Sequence, residues 1–214
     1  MPVIPHGTAL YGGAFNPPTV GHYAVARLLL QQGFDRVVVM PCHGHTFGKA
    51  LAPAGDRLAL ARVCFADLPG VVVSSFEIDA QLGGSTYELL QRLGSDPEHA
   101  GTPFFVVIGS DEANFLHRWK RADELRAEAR FVIIPRRGHP LGPFAAWARD
   151  PRHLILEDDG RLPDAASTEV RAALLADDGA TAHRLLSDRV FDEIRARGLY
   201  APSSPVHPEF APPL

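Results

Sequence analysis

Short runs of unbroken apolar residues alternate along this chain with stretches of helical periodicity, and that alternation leaves few folds open. Thr8 to Tyr11, Val37 to Met40, Val71 to Ser74, Phe104 to Ile108, Phe131 to Ile134 and Leu154 to Leu156 read as strands. Helical stretches fall between them: His22 to Gln32, Asp56 to Leu68, Ser85 to Leu93 with a stop at Gly94, and Arg121 to Arg130. In the second of these Leu58, Ala61, Arg62 and Phe65 share helical spacing. Helices beginning at Ser167, Thr181 and Arg189 close the chain. Strands without polar alternation, each followed by a helix, imply a parallel sheet covered on both faces. The expected fold is therefore a Rossmann-like, doubly wound α/β domain over residues 1–200. Ligands in such folds bind outside the carboxyl ends of the strands, where the strand order reverses.

Residues 12–22, Gly-Gly-Ala-Phe-Asn-Pro-Pro-Thr-Val-Gly-His, lie where the first strand hands over to the first helix. Backbone N–H groups at a helix start have no partner inside the helix, and the helix dipole is positive there, so the junction suits phosphate. Pro17 and Pro18 keep the chain extended and delay the helix. Gly21 leaves the turn open to a ligand. Thr19 and His22, three apart, can address one pocket mouth, where a histidine can donate to a phosphoryl oxygen gaining charge. A dinucleotide fingerprint cannot be drawn through this run, and the second strand runs into Pro41-Cys42-His43 with no acidic residue, which disfavours an ordinary Rossmann dehydrogenase.

With 214 residues and 46% hydrophobic composition, one domain with a full core is expected. A net charge of −4 offers no broad basic surface for nucleic acid or anionic lipid, so any phosphate site must be local. Cys42 and Cys64 make no disulfide framework, and no segment approaches a signal peptide or a membrane span, so a cytoplasmic protein with reduced thiols is expected. Residues 201–214 carry Pro202, Pro205, Pro208, Pro212 and Pro213 and read as a disordered or extended tail. Cys42-His43-Gly44-His45 has no second close pair of ligands and matches no common zinc spacing, so no metal site is assigned to the protein itself.

Two further blocks carry chemistry. In Ala166-Ser167-Thr168-Glu169-Val170-Arg171, Ser167 reads as an N-cap, with Arg171 four residues on over the same face. A cation there opposes the helix dipole by roughly 0.3–1 kcal/mol, and a bound anion reverses that sign. The other block runs Gly109-Ser110-Asp111, Trp119-Lys120 and Phe131-Val132-Ile133-Ile134-Pro135-Arg136-Arg137-Gly138.

Thr19-Val20-Gly21-His22 resembles the Thr/His-x-Gly-His signature of the nucleotidyltransferase superfamily, and residues 166–171 resemble its Ile-Ser-Ser-Thr-x-x-Arg signature, with Ala166 in place of the first serine. Together with the third block, the chain from Tyr11 to Gly198-Leu199-Tyr200 resembles the nicotinate-nucleotide and nicotinamide mononucleotide adenylyltransferases. The resemblance implies joining of ATP to a pyridine mononucleotide with Mg²⁺, without a covalent intermediate. It implies that Gly12, Gly13, Phe15, Thr19, His22, Lys49, Ser167, Thr168 and Arg171 serve ATP. His22, Thr19 and Arg171 would be the catalytic groups. Asn16, Ser85, Thr86, Tyr87, Gly109, Asp111, Trp119 and Arg136 would serve the mononucleotide, with Trp119 stacked on the pyridine ring. Asn16 and Thr19 are closer to the eukaryotic and archaeal enzymes, whereas Gly84-Ser85-Thr86-Tyr87 is similar to the bacterial nicotinate-binding loop. The implied substrate is nicotinate mononucleotide. The alternatives are the amide mononucleotide, another acceptor such as phosphopantetheine or a cytidylyl acceptor, and a non-catalytic nucleotide sensor.

Overall fold

The computed structural model describes residues 7–44, 50–157, 160 and 162–201; Lys49 and the proline-rich segment from Pro202 onward lie outside them. Six strands form one sheet: β1 (Thr8–Gly13), β2 (Arg36–Pro41), β3 (Val71–Val73), β4 (Phe104–Gly109), β5 (Arg130–Ile134) and β6 (Leu154–Ile155). The spatial order is β3-β2-β1-β4-β5-β6, and every pairing is parallel. The helices are α1 (Val20–Gln31), α2 (Ala54–Phe65), α3 (Phe76–Asp79), α4 (Thr86–Ser95), α5 (Ser110–Phe115), α6 (Ala122–Glu128), α7 (Ser167–Leu175), α8 (Gly179–Leu185) and α9 (Asp188–Ala196).

The unbroken apolar strands divide their side chains between two cores, as a period of two requires. Ala9, Tyr11, Val37, Val39, Phe105, Val107, Val132 and Ile134 pack with residues of α1, α2, α7, α8 and α9. Val106, Ile108, Phe131 and Ile133 pack on the opposite face with Ala113, Leu116 and Leu125. Leu10, Val38 and Met40 meet Leu89 and Leu93 of α4 there. The chain therefore begins in the middle of the sheet, winds outward through β2 and β3, and returns to the other side of β1 with β4. The carboxyl ends of β1 and β4 lie side by side at that reversal, which is where such folds open a crevice.

Several element boundaries differ from the sequence reading for identifiable reasons. Gly12 and Gly13 finish β1 opposite Met40 and Pro41 instead of making the turn. The turn falls on Ala14 to Pro18, where Phe15 takes φ +46° although it is not glycine. That conformation costs roughly 1–2 kcal/mol and is over-determined by packing of the Phe15 ring against Tyr11, His22 and Phe65. Ser167 is the first helical residue of α7 and Ala166 occupies its N-cap without a side-chain bond, because the Ser167 hydroxyl donates to the Pro17 carbonyl (2.8 Å). The buried face of α2 carries Arg57, Leu60, Ala61, Cys64 and Phe65, so it is turned from the expected one and Arg62 is exposed. Arg130 starts β5 rather than ending the preceding helix.

Candidate active site

A cleft of about 350 Å³ opens at the reversal point. Its floor is the carboxyl end of β1 and β4, with Gly12, Gly13 and Gly109 on it. A Cβ on Gly12 would meet nothing within 4 Å, so this floor is open to a ligand. Ser85 and Thr86 at the start of α4, Trp119 and Lys120 before α6, and His22 and Arg136 complete the lining. A smaller recess lined by Gly21, Pro163 and Ala165 adjoins it and shares Tyr11, His22 and Arg136. His22 and Arg136 thus border both spaces.

His22 is aimed by the residue that caps its helix. Thr19 is 1% exposed, and its Oγ1 accepts the His22 backbone N–H (3.4 Å), while the Thr19 backbone N–H donates to His22 Nδ1 (3.0 Å). The two residues form a reciprocal capping box with histidine in the place usually held by glutamate. Thr19 Oγ1 also lies 2.8 Å from Nδ1 and 2.9 Å from the Ala165 carbonyl, its one hydrogen serving these acceptors. Because Nδ1 accepts the Thr19 N–H, the proton of the neutral ring sits on Nε2, and Nε2–H is the donor left for a ligand. Burial, reinforced by the positive charge of Arg136, pushes the imidazole down to about 4. Imidazole NMR of the free protein should show His22 neutral, as the Nε2–H tautomer, from pH 5 to 7; a ring titrating near 6.5 counts against this geometry. The shift has a sign for stability as well. The unfolded ring binds a proton below about 6.5 and the folded ring does not until about 4, so this contribution is lost as pH falls through that window.

The block from Ser167 to Arg171 reaches the same loop from a distant part of the chain. Arg171 Nη1 donates to the Asn16 carbonyl (2.7 Å) and Nη2 approaches Thr168 Oγ1 (3.4 Å). With Ser167 on Pro17 and Thr19 on Ala165, three bonds fasten the start of α7 to residues 16–19. His22 and Arg171 are therefore both anchored through one short loop. Asn16 is 3% exposed, and its side-chain oxygen accepts from the Ala52 N–H (3.1 Å) and the Tyr200 hydroxyl (2.7 Å). Its side chain holds the loop and is not presented to the cleft. Phe15 is likewise buried, at 1% exposure.

On the opposite wall, Ser85 caps α4 by accepting the Glu88 N–H (3.4 Å). Lys120 pairs with Glu88, and Arg121 lies over the Tyr87 ring, 5.3 Å from its centroid. These contacts staple the Trp119-Lys120 segment to α4. Tyr87 does not line the cleft; it faces Arg121 and the core beneath α6. Asp111 and Arg136 approach each other at 3.8 Å across Gly109, and one Asp111 oxygen is buried with no hydrogen-bond partner. A Cβ on Gly109 would fall 2.1 Å from Asp111 Oδ1 and 3.0 Å from Arg136 Nε. Gly109→Ala should therefore displace both side chains, raising the KM for a ligand held there about tenfold, the factor set by about 1.4 kcal/mol of lost contact, while the protein stays folded; an unaltered KM would exclude Asp111 and Arg136 from binding.

Lys120 stands in the Trp119-Lys120 block but carries no assigned role in the sequence reading, and Arg57 and Glu77 do not figure in it. For Arg57 a signal exists: a charged residue at helical spacing with Leu60, Ala61 and Cys64 sits on a face otherwise apolar. Lys49 lies outside the described residues.

A parallel sheet wound in this order, with a capped histidine and a glycine floor at its reversal point, defines a nucleotide-handling transferase of the α/β class. Residues 10–173 match the sequence profile of the cytidylyltransferase-like family. A probable nicotinate-nucleotide adenylyltransferase of Anaeromyxobacter dehalogenans (strain 2CP-1) is 34% identical over 196 residues, covering 90% of this chain and 95% of that one. One from Roseiflexus sp. (strain RS-1) is 33% identical over 199 residues, covering 89% and 96%. The fold is similar to that of Plasmodium falciparum nicotinic acid mononucleotide adenylyltransferase complexed with NaAD, with a TM-score of 0.79 and 20% identity over 92% of this chain and 98% of that one. The chain belongs to the cytidylyltransferase-like family and, within it, to the nicotinate-nucleotide adenylyltransferases. Among the described residues no helix is long and apolar enough to cross a membrane.

Proposed function

We propose that this protein joins ATP and nicotinate mononucleotide into nicotinate adenine dinucleotide, releasing pyrophosphate. The observation that carries this reading is the His22 ring, locked by Thr19 with Nε2–H free for a ligand, at the junction of two adjoining spaces. The cleft takes the mononucleotide, between Trp119, Thr86, Gly109 and Asp111. The recess beside Gly21 and Ala165 takes the adenosine end of ATP, so that the α-phosphate falls against His22. A phosphate oxygen of the mononucleotide attacks the α-phosphorus in line, the bond to the bridging oxygen breaks, and pyrophosphate leaves with that electron pair. No protein nucleophile takes part. His22 Nε2–H donates to an oxygen of the α-phosphoryl group as its charge grows, and a neutral ring at pH 7 already holds the proton needed for that bond. Arg171, together with Ser167, Thr168, Gly12, Gly13 and Lys49, serves the remaining phosphates.

Mg²⁺ belongs to this reaction as the counter-ion of the triphosphate. In such sites the ion commonly keeps several waters and is carried chiefly by the nucleotide phosphates. The acid is favoured over the amide mononucleotide because the positive end of α4 at Ser85–Thr86 borders the cleft. Turnover of ATP with a panel of mononucleotides, followed by dinucleotide formation and pyrophosphate release, tests the reading. Nicotinate mononucleotide should give the highest kcat/KM. Preference for the amide would reassign the substrate, and absence of dinucleotide from either would overturn the assignment.

A further inference from the structure

Among the described residues, Arg57 is the bulkiest side chain with no exposure to solvent. Its Nε donates to the Ala52 carbonyl (2.9 Å), Nη1 to the Ala14 carbonyl (2.8 Å) and Nη2 to the His43 carbonyl (3.0 Å). Cys42 Sγ lies 3.9 Å from Nη1. One guanidinium thereby joins the loop after β1, the segment after β2 and the entrance to α2. Ala14, Cys42 and Gly44, on or beside those segments, form one wall of the cleft. The oxygen acceptors are all neutral carbonyls, and a buried cation with neutral partners alone carries a desolvation cost that a nearby anion offsets.

Glu77, on α3, is placed to be that anion. It is 4% exposed and borders the same cleft. Its carboxyl takes the His43 backbone N–H and feels the Arg57 charge, so Arg57 holds His43 by its carbonyl and Glu77 by its amide. Oε1 of Glu77 has no hydrogen-bond partner. The charged and titratable groups that face the carboxyl are Arg57 from α2 and the Cys42 thiol after β2, and burial pushes that thiol up as well. Desolvation outweighs Arg57 and the His43 bond, and pushes the Glu77 carboxyl up to about 7.

We propose that Arg57 and Glu77 are a buried positioning pair for the mononucleotide wall of the cleft, and that Glu77 takes up a proton when the anionic mononucleotide binds. This rests on the mononucleotide occupying that cleft. Ionised Glu77 balances Arg57 and leaves the wall neutral. Protonated on its free oxygen by a proton from solvent, it leaves one positive charge beside the ligand. Anion binding and protonation therefore favour each other, and by linkage each raises the affinity for the other.

Glu77→Gln keeps an acceptor for His43 and removes the titration. At pH 8 its KM for nicotinate mononucleotide should be about fivefold below wild type, the size expected of one charge at close range in a partly screened site, with kcat within about twofold. At pH 6 the two proteins should converge. A purely structural role would give a difference that does not vary with pH. Identical KM profiles from pH 6 to 8 overturn the pair. Failure of wild type to form dinucleotide is a separate result, and it removes the substrate assignment instead. Should the variant not fold, wild-type glutamate carboxyl ¹³C resonances supply the test. One should titrate near neutrality in the free protein and move up on adding nicotinate mononucleotide; ordinary titration of them all overturns the proposal.

Discussion

Replacing His22 by alanine should lower kcat by about 10²–10³-fold, the loss typical of one transition-state donor, or about 2.7–4 kcal/mol of barrier. The KM for ATP should change far less, because the bond is worth most when charge has built up on the α-phosphoryl oxygen. The variant also leaves the Thr19 backbone N–H without its ring acceptor, and the lost hydrogen bond should cost on the order of 1 kcal/mol of stability. Circular dichroism and a thermal melt separate the two effects: the fold persists with a slightly lower Tm while turnover collapses. Turnover within threefold of wild type would remove His22 from the chemistry and leave it a capping residue.

Arg171→Ala should reduce kcat/KM for ATP by about 10- to 150-fold, the range for one hydrogen bond to a charged group. Two losses combine in it. On the proposed function the triphosphate loses a guanidinium donor, and the Asn16 carbonyl loses the donor that holds the loop from the α7 side. Arg171→Lys should restore only part of the activity, because a single ammonium cannot hold that carbonyl and present further fixed donors to phosphate. Steady-state kinetics with ATP varied decide the matter. An alanine variant with unaltered kcat/KM for ATP would make Arg171 a structural tether alone.

Much of the candidate site was legible in the primary structure because short-range geometry sets it. Thr19 and His22 are one helical turn apart, so the cap and the ring belong to one local unit. Gly109 ends an apolar strand, and Trp119 precedes a helix, which places both at the carboxyl side of the sheet. Legibility failed where a residue's partners are remote. Asn16 reads as a substrate contact, yet its oxygen meets Ala52 and Tyr200, 36 and 184 residues away. Tyr87 belongs to the same short motif as Ser85 and Thr86, but the helical turn after the Ser85 cap carries it toward Arg121. Arg57 was hidden for a different reason. A buried arginine among neutral carbonyls is identifiable only once the loops that supply those carbonyls have been brought together.

The order of apolar runs, capping residues and glycines in this polypeptide was enough to determine a doubly wound parallel sheet and to put a capped histidine at the head of its first helix. Those properties arise from backbone sterics, side-chain periodicity and contacts within one turn, all local in the chain. Tertiary structure alone decided that α7 would lock onto residues 16–19, that His22 would border two spaces, and that Arg57 and Glu77 would share a buried wall. Each of those depends on desolvation and on partners distant along the chain, and neither quantity exists until the sheet has closed its two cores.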